Sequence, residues 1–380
     1  MKHPTKILIM AGGTGGHVFP ALAIANALRT QGVHVSWLGT RRGMEARLVP
    51  DAGFAIRFVH IGGLRGKGLA RKALGPLLIL VAILQSLWVM LRVRPHVVLG
   101  MGGFVSGPGG VAAWLLHRPL LIHEQNAIPG MTNRLLARLA TGVMEAFPGS
   151  FEAVLGASIR CPVEHTGNPV RDDIASLPPP SERLQHREGA LRILVLGGSQ
   201  GAEILNQLIP EAISTLADPA SVAVRHQAGT QHLMRTRTRY EKFNASVELL
   251  PFISDMAEAY EWADLVVARS GAMTVTELAT AGVASILVPY PFAVDDHQTA
   301  NAYFLAGAQA SVLMPQRELT AAELGRLFTV FHSARGQLVA MAGAARNLSV
   351  PDATGRVVMR CMESACHFAS QNDAEPNDDQ

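Results

Sequence analysis

A glycine-rich loop near the start of the sequence contains the first residue that could perform acid–base chemistry. The loop runs from Gly12 to His17 and includes Thr14, Gly15 and Gly16. It lies between an apolar run and a helical pattern, so a ligand can approach its backbone and the helix N-terminus favours an anion. His17 could accept a proton from a hydroxyl, because histidine titrates near neutral pH. Its alternative role is to cap the helix or orient the loop.

A polar group ends a later apolar run, at the kind of position where open α/β sheets bind ligands. It comprises His123, Glu124, Gln125 and Asn126. Glu124 is the second candidate base, and its alternative role is to orient His17 or hold a backbone amide. The stretch Gly100–Gly110, which precedes this group, is dense in glycine. That density indicates a close backbone approach, either to a ligand such as a diphosphate or to the first glycine loop.

The second half of the sequence repeats the order of strand, glycine loop and helix. In the stretch Gly197–Ala202, Ser199 could bind a phosphate oxygen beside the helix amides. The stretch Arg269–Glu277 opens another helix, and the Glu277 carboxylate could accept both hydroxyls of a ribose. Its alternative role is to stabilise the N-terminal half of that helix. In a later polar loop, Gln298 could bind sugar hydroxyls.

The first loop matches neither of two common nucleotide-binding motifs. No Lys-Ser/Thr pair follows it, and its glycine spacing differs from the dinucleotide fingerprint, with no acid near Gly39. Arg41 and Arg42 could still bind an NADP phosphate, so an NADP-dependent oxidoreductase is the alternative enzyme class. A non-catalytic protein that binds a membrane surface is the third class. No cluster has metal-ligand spacing, so we expect neither a metal nor a cofactor.

The apolar runs predict the elements that position these loops. Lys6–Ala11 is predicted to be a buried strand, Phe19–Leu28 a helix and His34–Leu38 a strand, which together form a βαβ unit. The same order restarts at Leu191–Leu196, after a proline-rich connection. Further strands are predicted at His96–Leu99, Leu120–His123, Leu265–Ala268 and Ile286–Val288. We expect an α/β protein with two Rossmann-like, doubly wound domains that face a central cleft.

Size and charge limit the classes of partner. The 380 residues exceed one ordinary core, which favours two domains. A formal net charge of +3 suits anionic small molecules or lipid headgroups but is too small to indicate nucleic acid. Cys161, Cys361 and Cys366 show neither metal nor disulfide spacing, which indicates a reducing compartment. No secretory signal is apparent, so we expect a cytoplasmic protein.

An uncharged segment, Ala73–Leu91, is long enough to cross a membrane. The strands predicted on either side of it should pair in one sheet, which argues against a span. We therefore expect the segment to lie on an anionic membrane surface. Basic residues flank it at Arg65, Lys67, Arg71, Lys72, Arg92 and Arg94. A buried core helix and a true span are the alternatives.

In their order, these motifs closely resemble those of the MurG family, the bacterial glycosyltransferases that make lipid II for peptidoglycan. The matching stretches are Gly12–Pro20, Gly62–Gly68, Gly100–Gly110, His123–Asn126, Gly167–Arg171, Gly197–Ala202, Arg269–Glu277 and Asp295–Asn301. Each stretch alone is modestly specific, whereas the ordered set is highly specific. One departure is Phe104, where many relatives carry tyrosine, so a hydroxyl role is absent there.

The resemblance implies a GT-B fold in which the two domains bind different substrates. Residues 1–163 would form the acceptor- and membrane-facing domain, and residues 164–351 the domain that binds UDP-GlcNAc. The helix 352–367 would return to the first domain, and the tail 368–380 is expected to be disordered.

The reaction implied by the resemblance is an inverting transfer. N-acetylglucosamine would move from UDP-GlcNAc to the C4 hydroxyl of N-acetylmuramoyl-pentapeptide on undecaprenyl diphosphate, lipid I. The enzyme would be peripheral, on the cytoplasmic face of the bacterial inner membrane, with the cell-wall and division machinery as partners.

The resemblance also implies binding roles, beside the candidate bases His17 and Glu124. In the first half, Thr14, Gly15 and Gly16 would lie near the donor and acceptor diphosphates, and Asn126 near the sugar. In the second half, Arg171 and Ser199 would bind the UDP diphosphate, while Ile253 would contact uracil through its backbone. Glu277 would hold the ribose and Gln298 the GlcNAc hydroxyls. One helix start would receive a phosphate, at Ala272, Met273, Thr274, Val275 and Thr276.

Overall fold

The computed structural model describes residues 4–62, 75–242 and 246–374, which form two compact α/β units. Unit 1 comprises Met1–Pro169 with Val350–Gln380, and unit 2 comprises Val170–Ser349. The first division lies six residues beyond the predicted boundary (169 against 163) because the intervening chain still bonds to unit 1. The Thr166 amide donates to the Glu145 carbonyl at 3.0 Å, and Asn168 Nδ2 donates to the Gln125 carbonyl at 3.0 Å.

The described part of unit 1 contains a parallel sheet with the strand order β3-β2-β1-β4-β5-β6-β7. Its strands are β1 (Lys6–Met10), β2 (His34–Gly39), β3 (Ala55–Phe58), β4 (Val97–Gly100), β5 (Leu120–Glu124), β6 (Gly142–Glu145) and β7 (Val163–His165). The strands are almost continuously apolar because helices cover both faces of the sheet. The order reverses beside β1, where Met10 pairs with Gly100. The two glycine loops therefore start from adjacent strand ends.

The helices of unit 1 before residue 170 are α1 (Gly15–Thr30), α2 (Glu45–Asp51), α3 (Gly75–Val93), α4 (Ser106–Leu115), α5 (Met131–Leu136) and α6 (Ser150–Leu155). A 3₁₀ turn follows at Gly156–Ser158. Helix α1 buries Val18, Ala21, Ile24 and Leu28 against the sheet, at the spacing of one helical face. It begins at Gly15 rather than at the predicted Phe19, because the low helix propensity of two glycines hid its first turn.

Unit 2 contains a second parallel sheet, with the order β10-β9-β8-β11-β12-β13 in the described residues. Its strands are β8 (Leu191–Leu196), β9 (Val222–Gln227), β10 (Ser246–Leu250), β11 (Leu265–Ala268), β12 (Ala284–Leu287) and β13 (Ser311–Leu313). Its helices are α7 (Asp172–Ala175), α8 (Pro180–Leu184), α9 (Glu203–Ser214), α10 (Leu233–Tyr240), α11 (Met256–Trp262), α12 (Ala272–Ala281), α13 (His297–Ala306), α14 (Ala321–Ser333) and α15 (Arg335–Asn347). Short 3₁₀ turns occur at Pro219–Ser221 and Val294–Asp296.

The last helix, α16 (Ala353–Ala374), belongs to unit 1. Val357, Cys361 and Ala365 are buried in the same apolar cluster as Ile24 and Leu28 of α1. Their spacing of four residues gives α16 one apolar face, which docks on that cluster. The structure places residues 368–374 in this helix rather than in a disordered tail, since the polar last turns continue its backbone hydrogen bonds. Residues 375–380 of the expected tail lie outside the described residues.

Both sheets have the doubly wound order, in which the chain runs outward from the first strand in one direction and then in the other. This confirms the predicted α/β fold of two Rossmann-like units. Ligands of such sheets bind beyond the carboxyl ends of the strands, near the point where the order reverses. That point lies beside β1 and β4 in unit 1, and beside β8 and β11 in unit 2.

Helix α3 is the one described helix that is long and apolar enough, by length and composition, to cross a membrane. Its mean hydropathy is 2.0, and only 22% of its most apolar stretch is buried. Its exposed side chains include Leu77, Leu80, Leu84, Trp88 and Leu91. The alternative of a helix buried between layers therefore does not hold. The strands β1 and β4, before and after α3, are direct neighbours in one sheet. The basic residues Arg65, Lys67, Arg71 and Lys72, and the motif from residue 63 onward, lie outside the described residues.

Candidate functional site

The first glycine loop of unit 1 ends at the N-terminus of α1. Thr14 is the N-cap in extended conformation, and its side chain makes no capping hydrogen bond. Its carbonyl accepts from the amides of His17 and Val18 at 3.1 and 3.2 Å. Gly15 and Gly16 are the first helical residues, whose amides have no intrahelical acceptor. The loop thus presents amide donors and an exposed hydroxyl where an anion is favoured.

The ring of His17 joins a chain of hydrogen bonds that passes through β5. His17 Nδ1 lies 2.8 Å from Gln125 Oε1. Gln125 Nε2 lies 3.0 Å from His123 Nδ1, and His123 Nε2 lies 2.9 Å from the carbonyl oxygen of Gly167. His123 and Gln125 are buried, whereas His17 is half-buried at the loop. Burial lowers the pKa of His123 to about 4. His123 is therefore neutral at pH 7.

The Glu124 carboxylate is directed into the loop that follows β5. Oε1 accepts from the amide of Asn126 at 2.9 Å and from its Nδ2 at 3.1 Å. Oε2 accepts from the amide of Gly130 at 3.0 Å and from Asn133 Nδ2 at 2.9 Å. Glu124 is 1% exposed. Both oxygens are engaged, so this geometry favours the loop-holding alternative over a role as base, and it sets the position of Asn126.

A second buried carboxylate, Glu45 of α2, supports the first glycine loop and is missing from the predicted site. Glu45 Oε2 accepts from the Gly13 amide at 3.0 Å, and Oε1 accepts from the amide and hydroxyl of Thr40 at 2.9 and 2.7 Å. A side chain on Gly12 would collide with it, since a Cβ there would lie 2.5 Å from Oε1. An acid soon after the second strand was the only sequence signal for this contact.

The second glycine loop packs on the first one. A Cβ on Gly103 would lie 2.3 Å from the Gly12 carbonyl oxygen, and one on Gly102 would lie 2.8 Å from the His17 ring. Both glycines also have positive φ, of 83° and 97°. Contact between the loops therefore accounts for these glycines without a bound diphosphate. Phe104, in the same loop, is exposed.

Unit 2 has a cavity of about 450 Å³ beyond the carboxyl ends of its central strands. Gly197, Gly198 and Gly201 of the loop after β8 line it, together with Thr274 and Gln298. The N-termini of α9 and α12 open on this cavity, at Ala202 and Gly271, and neither cap residue makes a side-chain capping bond. Two helix N-termini and a glycine loop at one cavity suit a diphosphate.

Arg269 lines the same cavity and was not among the predicted binding residues. Its Nη1 donates to the carbonyls of Val288 and Pro289 at 3.1 and 3.0 Å, and its Nη2 donates to Gln316 Oε1 at 2.7 Å. Its guanidinium lies over the Tyr290 ring, 5.4 Å from the centroid. Burial lowers its pKa, yet the group keeps its charge at pH 7. Arg269 therefore brings a fixed positive charge to the cavity.

Gln298 lies at the rim of the cavity with its amide oriented. Its Oε1 accepts from the Tyr290 amide at 2.9 Å, so its NH₂ group is directed away from that amide. Residues Ala272, Met273, Thr274, Val275 and Thr276 form the first turns of α12, and Thr274 lines the cavity. Thr276 Oγ1 donates back to the Ala272 carbonyl at 2.9 Å, so its hydroxyl proton is used within the helix.

Glu277 of α12 is paired with Tyr260, a residue that the sequence analysis did not select. The Tyr260 hydroxyl donates to Glu277 Oε2 at 2.9 Å, which leaves Oε1 for another donor. Burial raises the pKa of Glu277, while the Tyr260 hydrogen bond and the positive charge of Arg171 oppose that rise. Arg171 itself is exposed and lies 3.8 Å from Asp173.

The structure limits two of the ligand contacts that were predicted for unit 2. Ser199 is exposed in the turn between Gly198 and Gly201 and does not line the cavity. The Ile253 amide donates to Gln227 Oε1 at 2.8 Å, so only its carbonyl remains for a ligand. Among the described residues, no group of three or more His, Cys, Asp or Glu side chains could hold a metal ion.

Each half of the chain matches a known family model. The glycosyltransferase family 28 N-terminal domain matches residues 7–145, and the glycosyltransferase family 28 C-terminal domain matches residues 192–357.

Curated relatives are similar along nearly the whole chain. A protein of Nitrosococcus oceani is 52% identical over 95% of this chain and 99% of its own length. A protein of Marinobacter nauticus is 50% identical over 95% of this chain and 98% of its own length. Both are named UDP-N-acetylglucosamine–N-acetylmuramyl-(pentapeptide) pyrophosphoryl-undecaprenol N-acetylglucosamine transferase.

Solved structures share the fold. The crystal structure of Acinetobacter baumannii MurG is 44% identical, with a TM-score of 0.82, and the match covers 95% of this chain and 100% of that one. A UDP-GlcNAc 2-epimerase from Neisseria meningitidis, bound to UDP-GlcNAc, matches with a TM-score of 0.64 at 13% identity. At that identity the likeness extends to the fold alone.

Proposed function

The chain belongs to glycosyltransferase family 28, and from this premise we propose that it transfers N-acetylglucosamine from UDP-GlcNAc to N-acetylmuramyl-(pentapeptide) pyrophosphoryl-undecaprenol. The observation that carries the proposal is the identity of 52% and 50%, over 95% of the chain, to two relatives named for this reaction. The chain is thus a UDP-GlcNAc-dependent hexosyltransferase of GT-B fold, and its reaction converts lipid I to lipid II in peptidoglycan synthesis. The oxidoreductase alternative based on Arg41 and Arg42 is set aside, and Arg41 instead stacks on Phe58.

We place UDP-GlcNAc in the cavity of unit 2. The diphosphate lies between the N-termini of α9 and α12, within reach of the positive charge of Arg269 and of Ser199 at the turn. The ribose hydroxyls donate to Glu277, whose Oε1 is not used by Tyr260. The Ile253 carbonyl accepts from uracil, and Gln298 donates its NH₂ to a GlcNAc hydroxyl. We also assign Arg171 to the diphosphate, since its positive charge acts on Glu277.

We place the reacting hydroxyl of the acceptor at His17 in unit 1. The amides of Gly15 and Gly16 and the Thr14 hydroxyl lie next to this ring and suit the pyrophosphate of the acceptor. Asn126, held by Glu124, faces the sugar. The His17 ring bonds to Gln125 through Nδ1, so Nε2 can take the proton of the C4 hydroxyl.

The transfer is an in-line displacement that inverts the anomeric carbon. The acceptor O–H bond breaks and its proton goes to His17 Nε2. The oxygen forms a bond to C1 of GlcNAc, while the C1–O bond to the diphosphate breaks and its electron pair leaves with UDP. The transition state resembles an oxocarbenium ion, as in glycoside hydrolysis. The helix N-termini and Arg269 stabilise the charge that develops on the departing diphosphate.

We propose that α3 brings the enzyme to the membrane that holds its lipid-linked acceptor. The helix exposes a stripe of large apolar side chains, and Arg92 and Arg94 end it with positive charge. Such a helix lies in the membrane interface with its apolar side buried and its cations at anionic headgroups. We propose, as the family resemblance implies, that this surface is the cytoplasmic face of the bacterial inner membrane, where cell-wall and division proteins are the expected neighbours.

The test of the proposed function is UDP release from UDP-GlcNAc, with and without a lipid I analogue. We expect release that depends on the analogue. Binding of UDP-GlcNAc without release would favour the non-catalytic alternative. If UDP-GlcNAc neither binds nor reacts, the proposed function is refuted.

A further inference from the structure

The hydrogen-bond chain that ends at His17 begins at the Gly167 carbonyl oxygen. The Gly167 carbonyl can only accept, so His123 Nε2, 2.9 Å away, must carry a hydrogen. The structure thereby fixes the first link of the chain without reference to any assigned hydrogen position.

The next link sets the orientation of the Gln125 amide. Because Nε2 of the neutral His123 ring holds the hydrogen, its Nδ1 must accept, and the Gln125 NH₂ group donates to it at 3.0 Å. The same NH₂ lies 3.2 Å from the His123 carbonyl oxygen, which accepts as well. A reversed amide would place an oxygen against this carbonyl. It would also require a doubly protonated His123 in a buried site, where burial lowers its pKa to about 4.

The last link therefore fixes the tautomer of His17. With its NH₂ group bound to His123, Gln125 presents Oε1 to His17 Nδ1 at 2.8 Å. An oxygen acceptor at that distance requires Nδ1–H, so in the neutral ring the lone pair is on Nε2. We propose that Gln125 and His123 are positioning residues that hold neutral His17 as the Nδ1–H tautomer, with Nε2 ready to take a proton. This inference rests on the proposed function, in which His17 is the base.

The same arrangement accommodates the proton once it is transferred. The acceptor O–H bond breaks and the proton joins Nε2, while Nδ1–H keeps its bond to Gln125 Oε1. No other proton moves, and the amide dipole stabilises the imidazolium. A catalytic histidine often relies on a carboxylate for this purpose, and replacing that carboxylate with an amide of the wrong polarity costs about 10⁴-fold in kcat in serine proteases. Here a neutral amide has the correct polarity because a second histidine orients it.

The ionisable groups on this chain come from two elements. His17 lies at the start of α1, and His123 with Glu124 lies on β5. Glu124 and His17 both influence the charge state of His123, with opposite signs. Gly102, which packs against the His17 ring, presents no ionisable group.

The direct test is the tautomer of His17 in the full-length protein without substrate. ¹⁵N-labelled histidine distinguishes a protonated from a bare ring nitrogen by NMR, and the His17→Asn variant assigns the signal among the 14 histidines. We expect Nδ1 protonated and Nε2 bare in neutral His17. A bare Nδ1 would overturn the inference whether or not the enzyme transfers GlcNAc. Loss of UDP release with the expected tautomer would refute the proposed function alone.

Two substitutions at Gln125 separate positioning from general structural support. Gln125→Met keeps the size but loses the hydrogen bonds to both histidines. We expect kcat to fall about 10- to 100-fold, the effect of removing partners that orient metal-binding histidines. KM for UDP-GlcNAc should change little, since the donor cavity is in unit 2. Gln125→Glu keeps an acceptor for Nδ1–H. As the protonated acid it also keeps a donor for His123 Nδ1, so we expect it to retain more of kcat than Gln125→Met does. An ionised carboxylate would instead place an oxygen against the His123 lone pair and carbonyl. Equal loss of kcat in both variants, with an unchanged His17 tautomer, would overturn the inference.

Discussion

At the scale of residues, His17 in the first turn of α1 and Glu124 at the end of β5 differ in how many of their side-chain atoms already have hydrogen-bond partners. Glu124 accepts three hydrogen bonds from the loop that follows it and one from Asn133 of α5, so both of its oxygens are engaged. His17 uses one ring nitrogen, on Gln125. A base needs a lone pair that the substrate can reach, so the geometry favours His17 for proton transfer and Glu124 for holding Asn126 in place.

Replacing His17 by alanine tests whether His17, rather than Glu124, is the base. If His17 is the base, His17→Ala should lower kcat by about 10²–10⁴-fold. The dissociation constant for UDP should stay close to that of the wild type, because the donor cavity is in unit 2. The comparison is His34→Ala, which removes an exposed histidine of the same unit. Turnover that survives in the His17 variant would exclude the role.

Replacing Glu124 should instead affect folding. In Glu124→Gln one carboxylate oxygen becomes an NH₂ group that faces donors, so we expect a loss of about 1–3 kcal/mol in the free energy of unfolding. Denaturant unfolding of the variant and the wild type measures this loss. A variant of unchanged stability with turnover as low as that of His17→Ala would identify Glu124 as the base after all.

Glu277 should recognise the ribose of the donor. We expect Glu277→Ala to weaken UDP binding by about 10- to 100-fold, since hydrogen bonds to a charged group contribute about 1.5–3 kcal/mol. UDP and 2′-deoxy-UDP are matched ligands for this test. The wild type should prefer UDP, and the variant should bind both alike. If the wild type and the variant prefer UDP over 2′-deoxy-UDP to the same extent, Glu277 does not bind the ribose and its role is limited to the hydrogen bond with Tyr260.

The sequence could identify residues whose neighbours in the chain give them a role, such as His17 in its glycine loop. It named Gln125 only as a member of the polar group after a strand, without a role of its own, and it did not select Glu45. Gln125 meets His17 across 108 residues, and Glu45 meets Gly13 across 32. Such contacts depend on which strands are adjacent in the sheet, and the position of a glutamine or glutamate near a strand end does not indicate its partner.

At the scale of elements, buried polar side chains link the strands to the helices that cover them. His226 on β9 bonds to the Tyr240 hydroxyl at 2.8 Å and to Asn206 Oδ1 at 2.9 Å. Asn206 in turn donates to the Ala228 carbonyl at 3.0 Å, just after β9. This network ties α9 and α10 to the sheet of unit 2.

The network predicts a pH dependence of stability. Burial lowers the pKa of His226 from 6.5 to about 3, so the unfolded chain binds a proton below pH 6.5 that the folded one does not. The contribution of neutral His226 to the free energy of unfolding is complete above pH 6.5 and is lost as the pH falls from there toward 3. His226→Gln should remove up to about 1.4 kcal/mol per pH unit from the slope of unfolding free energy in this window. Urea titrations between pH 4 and 7 measure the slope, with His34→Gln as the control. An unchanged slope would contradict a neutral buried His226.

The strands were predictable because burial on both faces gives each of them an apolar run that ends in glycine or polar residues. Leu191–Leu196 and Leu265–Ala268 match the observed β8 and β11 residue for residue. The ends of the helices were harder to predict from the sequence. Helix α1 begins with two glycines, and the last turns of α16 are polar, so propensity and periodicity indicate neither end.

At the scale of the whole molecule, the proposed membrane contact depends on α3. The exposed fractions of Leu84 and Trp88 are 56% and 55%. Changing both to serine should weaken binding to anionic vesicles by at least about 10-fold, because burying one large apolar side chain contributes about 1.5–3 kcal/mol. Flotation with vesicles measures the binding, and turnover with a short-chain soluble acceptor should be unaffected. Met234→Ser, an exposed apolar residue of unit 2, is the matched control. Undiminished flotation of the double variant would place the contact elsewhere.

Transfer of a labelled sugar shows whether the chain moves N-acetylglucosamine to a lipid-linked acceptor. UDP-GlcNAc with a labelled sugar is incubated with a lipid I analogue, and label in the lipid product is compared with the UDP released. We predict equal amounts of both, none without the analogue, and a β-linkage to C4 of N-acetylmuramic acid in the product. UDP release without label in the lipid, or label at another position or with retained configuration, would contradict the account.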